Sequence, residues 1–175
     1  MGILKKSCVQ VYTGDGKGKT SAALGLSLRM LGAGGRVAFF QFFKDGASSE
    51  FLALSQFGER FYLCPCGSGC FLKGKPSQED LSSARDGLAR AAGMLASGDF
   101  DLVVLDEAGA ALSCGLIELE PLLDALSRRS SHTEALLTGR GMAPEICALA
   151  DLVTEMRPLK HPYDKGIPAR KGIEW

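Results

Sequence analysis

Short apolar runs recur along the chain at 8–12, 36–42, 60–63, 101–105, 133–137 and 152–156. Several are continuous rather than alternating, as in Leu102-Val103-Val104-Leu105. That pattern fits strands covered on both faces, and hence a mostly parallel sheet. Helical periodicity lies between these runs. The stretch 20–31 carries Leu24, Leu28 and Leu31 on one expected face and stops at Gly32, Gly34 and Gly35. The stretch 77–96 opens with Ser77 and Asp80, close to a capping box, and continues as an apolar stripe of Leu81, Ala84, Leu88, Ala91, Ala92 and Leu95. Pro121 and Pro144 suit first helical turns and open expected helices at 122–126 and 145–149. Strands alternating with helices predict an α/β fold with helices on both faces of the sheet. Two irregular stretches remain, 64–76 and 157–175. Both follow strands, so both can line the carboxyl edge of the sheet, where ligands bind in such folds.

The first strand runs into Thr13-Gly14-Asp15-Gly16-Lys17-Gly18-Lys19-Thr20, followed by Ser21-Ala22-Ala23-Leu24 as a helix start. Strand, glycine-rich turn, Gly-Lys-Thr and helix form a phosphate-binding loop, which makes the expected fold a P-loop NTPase of the RecA-like type. The glycines let backbone N–H groups point inward, and the helix N-terminus adds partial positive charge at the same place. Gly14, Asp15, Gly16, Lys17, Gly18, Lys19, Thr20 and Ser21 are the candidate nucleotide-binding residues. Lys19 supplies charge for the outer phosphates, and the Thr20 hydroxyl is placed for Mg²⁺. The loop departs from the general pattern G-x-x-x-x-G-K-[ST]: Thr13 stands where glycine would, glycine follows at Gly14, and Lys17 is an added cation.

Asp106-Glu107 ends the run Leu102–Leu105, where a carboxylate can hold the Mg²⁺ that Thr20 touches. Thr20, Asp106 and Glu107 are therefore the candidate metal residues; Glu107 activating water is the other option. Thr138-Gly139-Arg140-Gly141 ends the next strand, and Arg140 is a candidate to fork onto phosphate oxygens. Cys64, Cys66 and Cys70 read either as metal ligands or as a reduced cysteine-rich loop. A closed zinc site wants four ligands and no C-x-x-C pair is present, so the loop reading is preferred. Phe39, Phe40, Phe42 and Phe43 flank Gln41; alternate ones belong to the core, and Phe43, just past the strand, reads either as facing a flat ligand or, as aromatic residues more often do, as packing. The basic tail, with Arg157, Lys160, His161, Lys165, Arg170 and Lys171, reads either as solvated or as a binding segment.

At 175 residues the expectation is one domain over 1–175, long enough to bury a real core. Twenty Lys+Arg balance twenty Asp+Glu, which argues against a broad nucleic-acid footprint. No run approaches the roughly 18 apolar residues of a membrane span. Lys5 and Lys6 are not followed by a signal-peptide core. The expected location is cytoplasmic, with no membrane and no nucleic-acid partner.

The quoted loop, with Val104-Leu105-Asp106-Glu107, Leu137-Thr138-Gly139-Arg140-Gly141, the segment 150–167 and the closing 169–174, resembles the P-loop ATP:corrinoid adenosyltransferases. That family shares the displaced glycine. The resemblance implies transfer of the 5′-deoxyadenosyl group of ATP to the Co(I) of a corrinoid, with inorganic triphosphate leaving. It implies Mg²⁺, or Mn²⁺ in its place, ATP and a reduced corrinoid as substrates, an electron donor for Co(II), and a homodimer. Lys19, Thr20 and Glu107 would be the catalytic residues, and ATP would bind reversed relative to other P-loop proteins. Phe71 is the nearest aromatic counterpart of those that displace the cobalt's lower ligand in some relatives; the only tryptophan is Trp175. A RecA-like ATPase or small-molecule kinase, with Glu107 as base, is the alternative. A non-catalytic nucleotide-binding module is the other.

Overall fold

The computed structural model describes residues 3–44, 48–67 and 76–174. Six strands form one parallel sheet: β1 (Val9–Thr13), β2 (Val37–Phe42), β3 (Phe61–Cys66), β4 (Leu102–Asp106), β5 (Glu134–Thr138) and β6 (Leu152–Glu155), in the order β3-β2-β4-β5-β1-β6. Every expected strand is present, and the third extends through Pro65 to Cys66. The helices are α1 (Lys19–Gly32), α2 (Ser49–Leu54), α3 (Gln78–Ser97), α4 (Ala108–Ser113), α5 (Leu119–Ser127) and α6 (Pro144–Leu149). Short 3-10 turns cover Ser55–Arg60 and Pro162–Lys165. Among the described residues no helix is long and apolar enough to cross a membrane.

The continuous apolar runs are explained by burial on both faces. Val37 and Phe39 of β2, Leu102 and Val104 of β4, and Leu136 of β5 pack with α1 and α2 on one side. Ala38, Phe40 and Phe42, Val103 and Leu105, and Ala135 and Leu137 face the other layer, with α3 and α5. Phe43 is buried in that second layer, so of its two readings the structure gives packing and not a face for a flat ligand. The strand pleat sends alternate phenylalanines to opposite layers, and each layer has a helix to receive them.

Helix α3 begins as its sequence suggests. The Ser77 hydroxyl accepts from the Asp80 N–H at 3.1 Å, and the Asp80 carboxylate accepts from the Ser77 N–H at 3.1 Å. Helix α1 turns differently from expectation. Its buried face is Lys19, Ala23, Ser27 and Leu31, while Leu28 is 53% exposed. Small residues let α1 lie close on the sheet, and the buried Ser27 hydroxyl is satisfied by the Ala23 carbonyl at 2.8 Å. Leu28 is displaced outward and Leu24 is half-buried at the edge of that core, and both line a shallow groove with Leu54 and Phe57.

The displaced glycine has a cause outside the phosphate loop. Thr13 is still strand, paired with Glu155 of β6. The chain leaving β6 then crosses directly over the loop. The Met156 N–H donates to the Thr13 carbonyl at 2.8 Å, and the Gly16 N–H donates to the Met156 carbonyl at 2.7 Å. Gly14 has φ +93°, and a β-carbon there would collide with the Met156 carbonyl oxygen. One at Gly16 would lie 2.7 Å from the same carbonyl. Glycine is needed where the tail crosses, one residue after the strand ends.

Gly14→Ala is therefore expected to destabilise the protein by about 1–3 kcal/mol through strain and collision. Gly25→Ala, in α1 with open space around it, is expected to stabilise by about 0.5–1 kcal/mol. Urea unfolding of the two variants checks the contrast; equal effects would contradict the crossing as the cause.

Candidate functional site

A cleft of about 400 Å³ opens at the carboxyl edge of the sheet. Residues from Gly16 to Ser21 form one wall, with Lys44, Glu107 and Arg140 facing them and His161 and Glu174 of the tail closing one side. Gly18 has φ +113° and stands as the residue before α1, which has no side-chain cap. The first N–H groups of α1 are thus left to an incoming anion. Lys19 is buried, and its Nζ donates to the carbonyls of Gly14 (2.7 Å) and Gly16 (2.8 Å). Burial holds its pKa below the ordinary lysine value, against the opposing pull of the Glu107 carboxylate.

Asp106 is the hub of the metal candidates. Its fully buried carboxylate accepts from the Thr20 hydroxyl at 3.0 Å, the Thr138 hydroxyl at 2.6 Å and the Gln41 amide at 3.3 Å. The register that pairs Gln41 with Asp106 places that amide. Thr138 also accepts from the Glu107 N–H at 3.0 Å. Glu107 follows in the left-handed region, φ 62°, which turns its side chain into the cleft ahead of α4. Burial, and then the Asp106 charge, push its pKa up; Lys19, Lys44 and Arg140 oppose them.

These groups fit a magnesium ion held mainly by phosphate and water. The buried Gln41 Oε1 has no hydrogen-bond partner, so an acceptor stands beside Asp106 for a water bound to a cation. A hydroxyl, a carboxylate and an orphaned amide oxygen are hard donors, suited to Mg²⁺ or Mn²⁺. Among the described residues no group of three His, Cys, Asp or Glu side chains could hold a metal alone.

Arg140 follows Gly139, whose β-carbon would strike the backbone of Gly109 in α4. This contact seats the β5 turn on α4 and leaves Arg140 exposed between the cleft and a second pocket of about 480 Å³ lined by Asp15, His161 and Tyr163.

The model of the family described as ATP:corrinoid adenosyltransferase BtuR/CobO/CobP matches residues 5–175. This chain belongs to that family. It is similar to the corrinoid adenosyltransferase of Pseudomonas aeruginosa, at 37% identity over 98% of this chain and 85% of that one. It is similar also to those of Escherichia coli K12 and Salmonella typhimurium, each at 34% over 98% of this chain and 87% of theirs. The flagellar accessory protein FlaH of Methanocaldococcus jannaschii shares the fold at 10% identity, with a TM-score of 0.60 over 86% of this chain and 71% of that one.

In this corrinoid adenosyltransferase family member the tail reaches back to the loop. Lys17 Nζ donates to Glu174 Oε1 at 2.7 Å and to the Ile173 carbonyl at 3.3 Å. Arg170 grips the same carboxylate, at 3.1 and 3.2 Å. Arg170, and then Lys17, hold the Glu174 pKa down to about 2, so the latch is complete above the usual carboxylate range and is lost as pH falls toward 2. Cys64 and Cys66 are buried in β3 with sulfurs 3.8 Å apart, and burial pushes the Cys66 thiol up. They are core thiols; Cys70 and Phe71 lie outside the described residues.

The sequence pointed to Lys19, Thr20, Asp106, Glu107 and Arg140, and the fold brings them together. It did not single out Gln41, Thr138, Lys44 or Glu174. A glutamine inside an otherwise phenylalanine-rich buried strand was the one local signal.

Thr138→Val keeps the side-chain shape and removes the hydroxyl shared by Asp106 and Glu107. It is expected to cost about 1–3 kcal/mol in urea unfolding; a change near zero would contradict the hub. Glu174→Gln is expected to speed tryptic cleavage in the tail at Lys165, Arg170 and Lys171, and an unchanged digestion rate would contradict the latch.

Proposed function

We propose that the protein transfers the 5′-deoxyadenosyl group of ATP to the cobalt of a reduced corrinoid, releasing inorganic triphosphate. The observation that carries this reading is that the family match spans residues 5–175, which include every wall of the cleft. The Co(I) electron pair attacks C5′ and the carbon–oxygen bond breaks. Its electrons pass to the bridging oxygen, which leaves on triphosphate, and the cobalt is oxidised to Co(III). The nucleophile belongs to the substrate, so no side chain need be activated as one. The protein's part is to bind the triphosphate, match its growing charge and aim C5′.

Each residue has a share in that task. Lys19 exchanges the carbonyls of Gly14 and Gly16 for phosphate oxygens. The N–H groups at the start of α1 take others, and Lys17 and Arg140 flank them. Thr20, Asp106 and Glu107, with Gln41 Oε1, would hold Mg²⁺, which supplies charge to the leaving group. ATP lies reversed, with its ribose end toward the corrinoid. The protein takes its reducing electron from an external donor and works as a cytoplasmic homodimer. Family membership supports these last points, and light scattering checks the dimer.

The test is an anaerobic mixture of the protein, Mg-ATP and chemically reduced cob(I)alamin, followed by the cobalt spectrum. Adenosylcobalamin is expected. Lys19→Ala is expected to lower the rate by about 10²–10³-fold while still melting cooperatively. ADP accumulating over an unchanged corrinoid would overturn the reading in favour of an ATPase or kinase.

A further inference from the structure

Only two non-glycine residues among those described have positive φ: Glu107 at 62° and Phe43 at 67°. They stand at the carboxyl ends of β4 and β2, which are neighbours with Gln41 opposite Asp106. Left-handed backbone is strained for such residues and persists where the surroundings enforce it. At Phe43 the enforcement is visible. Its side chain is buried in the core, and the backbone of Gly67, just past β3, packs so closely that a β-carbon there would lie 2.7 Å from the Phe43 Cα. The anchored turn sends the next residue, Lys44, into the cleft that the phosphate loop lines. The same kind of turn sends Glu107 in from β4, and the Lys44 charge is felt at the Glu107 carboxylate.

The charges of the cleft then separate by commitment. Lys17 is ion-paired to Glu174, and Lys19 is held by two loop carbonyls. Among the described residues neither Arg140 nor Lys44 is held in a direct ion pair. An incoming triphosphate brings about four negative charges, and these two cations can meet it without breaking an existing pair. Arg140 lies beyond β5 and Lys44 beyond β2, with β4 and its Glu107 between them.

We propose that Lys44 is a further nucleotide-binding residue, whose ammonium contacts the triphosphate on the side of the cleft away from Arg140. The strained Phe43 turn, clamped by Gly67, is the device that aims it. A cation held by Asp106 and Glu107 would offset the Glu107 charge and leave the Lys44 ammonium to phosphate. The proposal rests on the adenosyltransferase reading, because it assumes that this cleft takes ATP.

Titration calorimetry of the full chain tests it, with inorganic tripolyphosphate, Mg-ATP and hydroxocobalamin as separate probes. Lys44→Met keeps the apolar stem and removes the charge. It is expected to weaken tripolyphosphate and Mg-ATP by about 10- to 100-fold and to leave hydroxocobalamin and the melting temperature unchanged. Lys44→Arg is expected to restore most of the loss. Parental affinity for both phosphate probes in Lys44→Met would overturn the proposal, as would a loss confined to hydroxocobalamin. A parent protein that binds neither phosphate probe would instead overturn the adenosyltransferase reading itself, and Lys44 with it.

Discussion

The phosphate loop takes its shape from a contact made outside it. The chain leaving β6 lies across the loop, with the Met156 N–H and carbonyl joined to Thr13 and Gly16. The loop and the tail that closes on it depend on this crossing. It fixes where β1 ends, makes Gly14 and Gly16 obligatory, and uses one loop N–H that a typical phosphate loop would offer to its ligand. It also brings His161 and Glu174 to the cleft, so that a loop near the start of the chain and the last described residue form one site.

Inside that frame the site separates its rigid parts from its exchangeable ones. Asp106 is fully buried and holds three donors, from α1, β2 and β5. Such a carboxylate is fixed in place, which suits it to orient a metal's water shell. The cations are held more lightly. Lys19 rests on carbonyls that phosphate oxygens can replace, and Lys17 rests on an exposed ion pair that salt or substrate can compete with. The arrangement suits a leaving group that arrives and departs whole.

Much of the fold was legible because burial on both faces writes strands as unbroken apolar runs, and the six strands fall where those runs do. Helix α3 declared itself through its stripe and Ser77 cap. Two short helices were not legible. Helix α4 begins directly after a left-handed glutamate, and α2 is only six residues long. The face of α1 was legible at Leu31 and only partly at Leu24, and Leu28 is exposed, because leucines mark a packing face only when the partner is distant enough. Here the sheet is close and Ala23 and Ser27 make the contact. In the site, contiguous motifs were readable and distant pairings were not. Gln41 meets Asp106 across 65 positions, and Lys17 meets Glu174 across 157. Those contacts depend on strand order and on the path of the tail, neither of which a local pattern contains.

The bond that breaks is the centre of the account. ATP carrying ¹⁸O in the bridge between C5′ and the α-phosphorus distinguishes the outcomes in a single turnover with cob(I)alamin. Cleavage of the carbon–oxygen bond leaves the label in inorganic triphosphate, and that is the predicted result. Label recovered in ADP, with phosphate released beside it, would show that a phosphorus–oxygen bond had broken and would contradict the account.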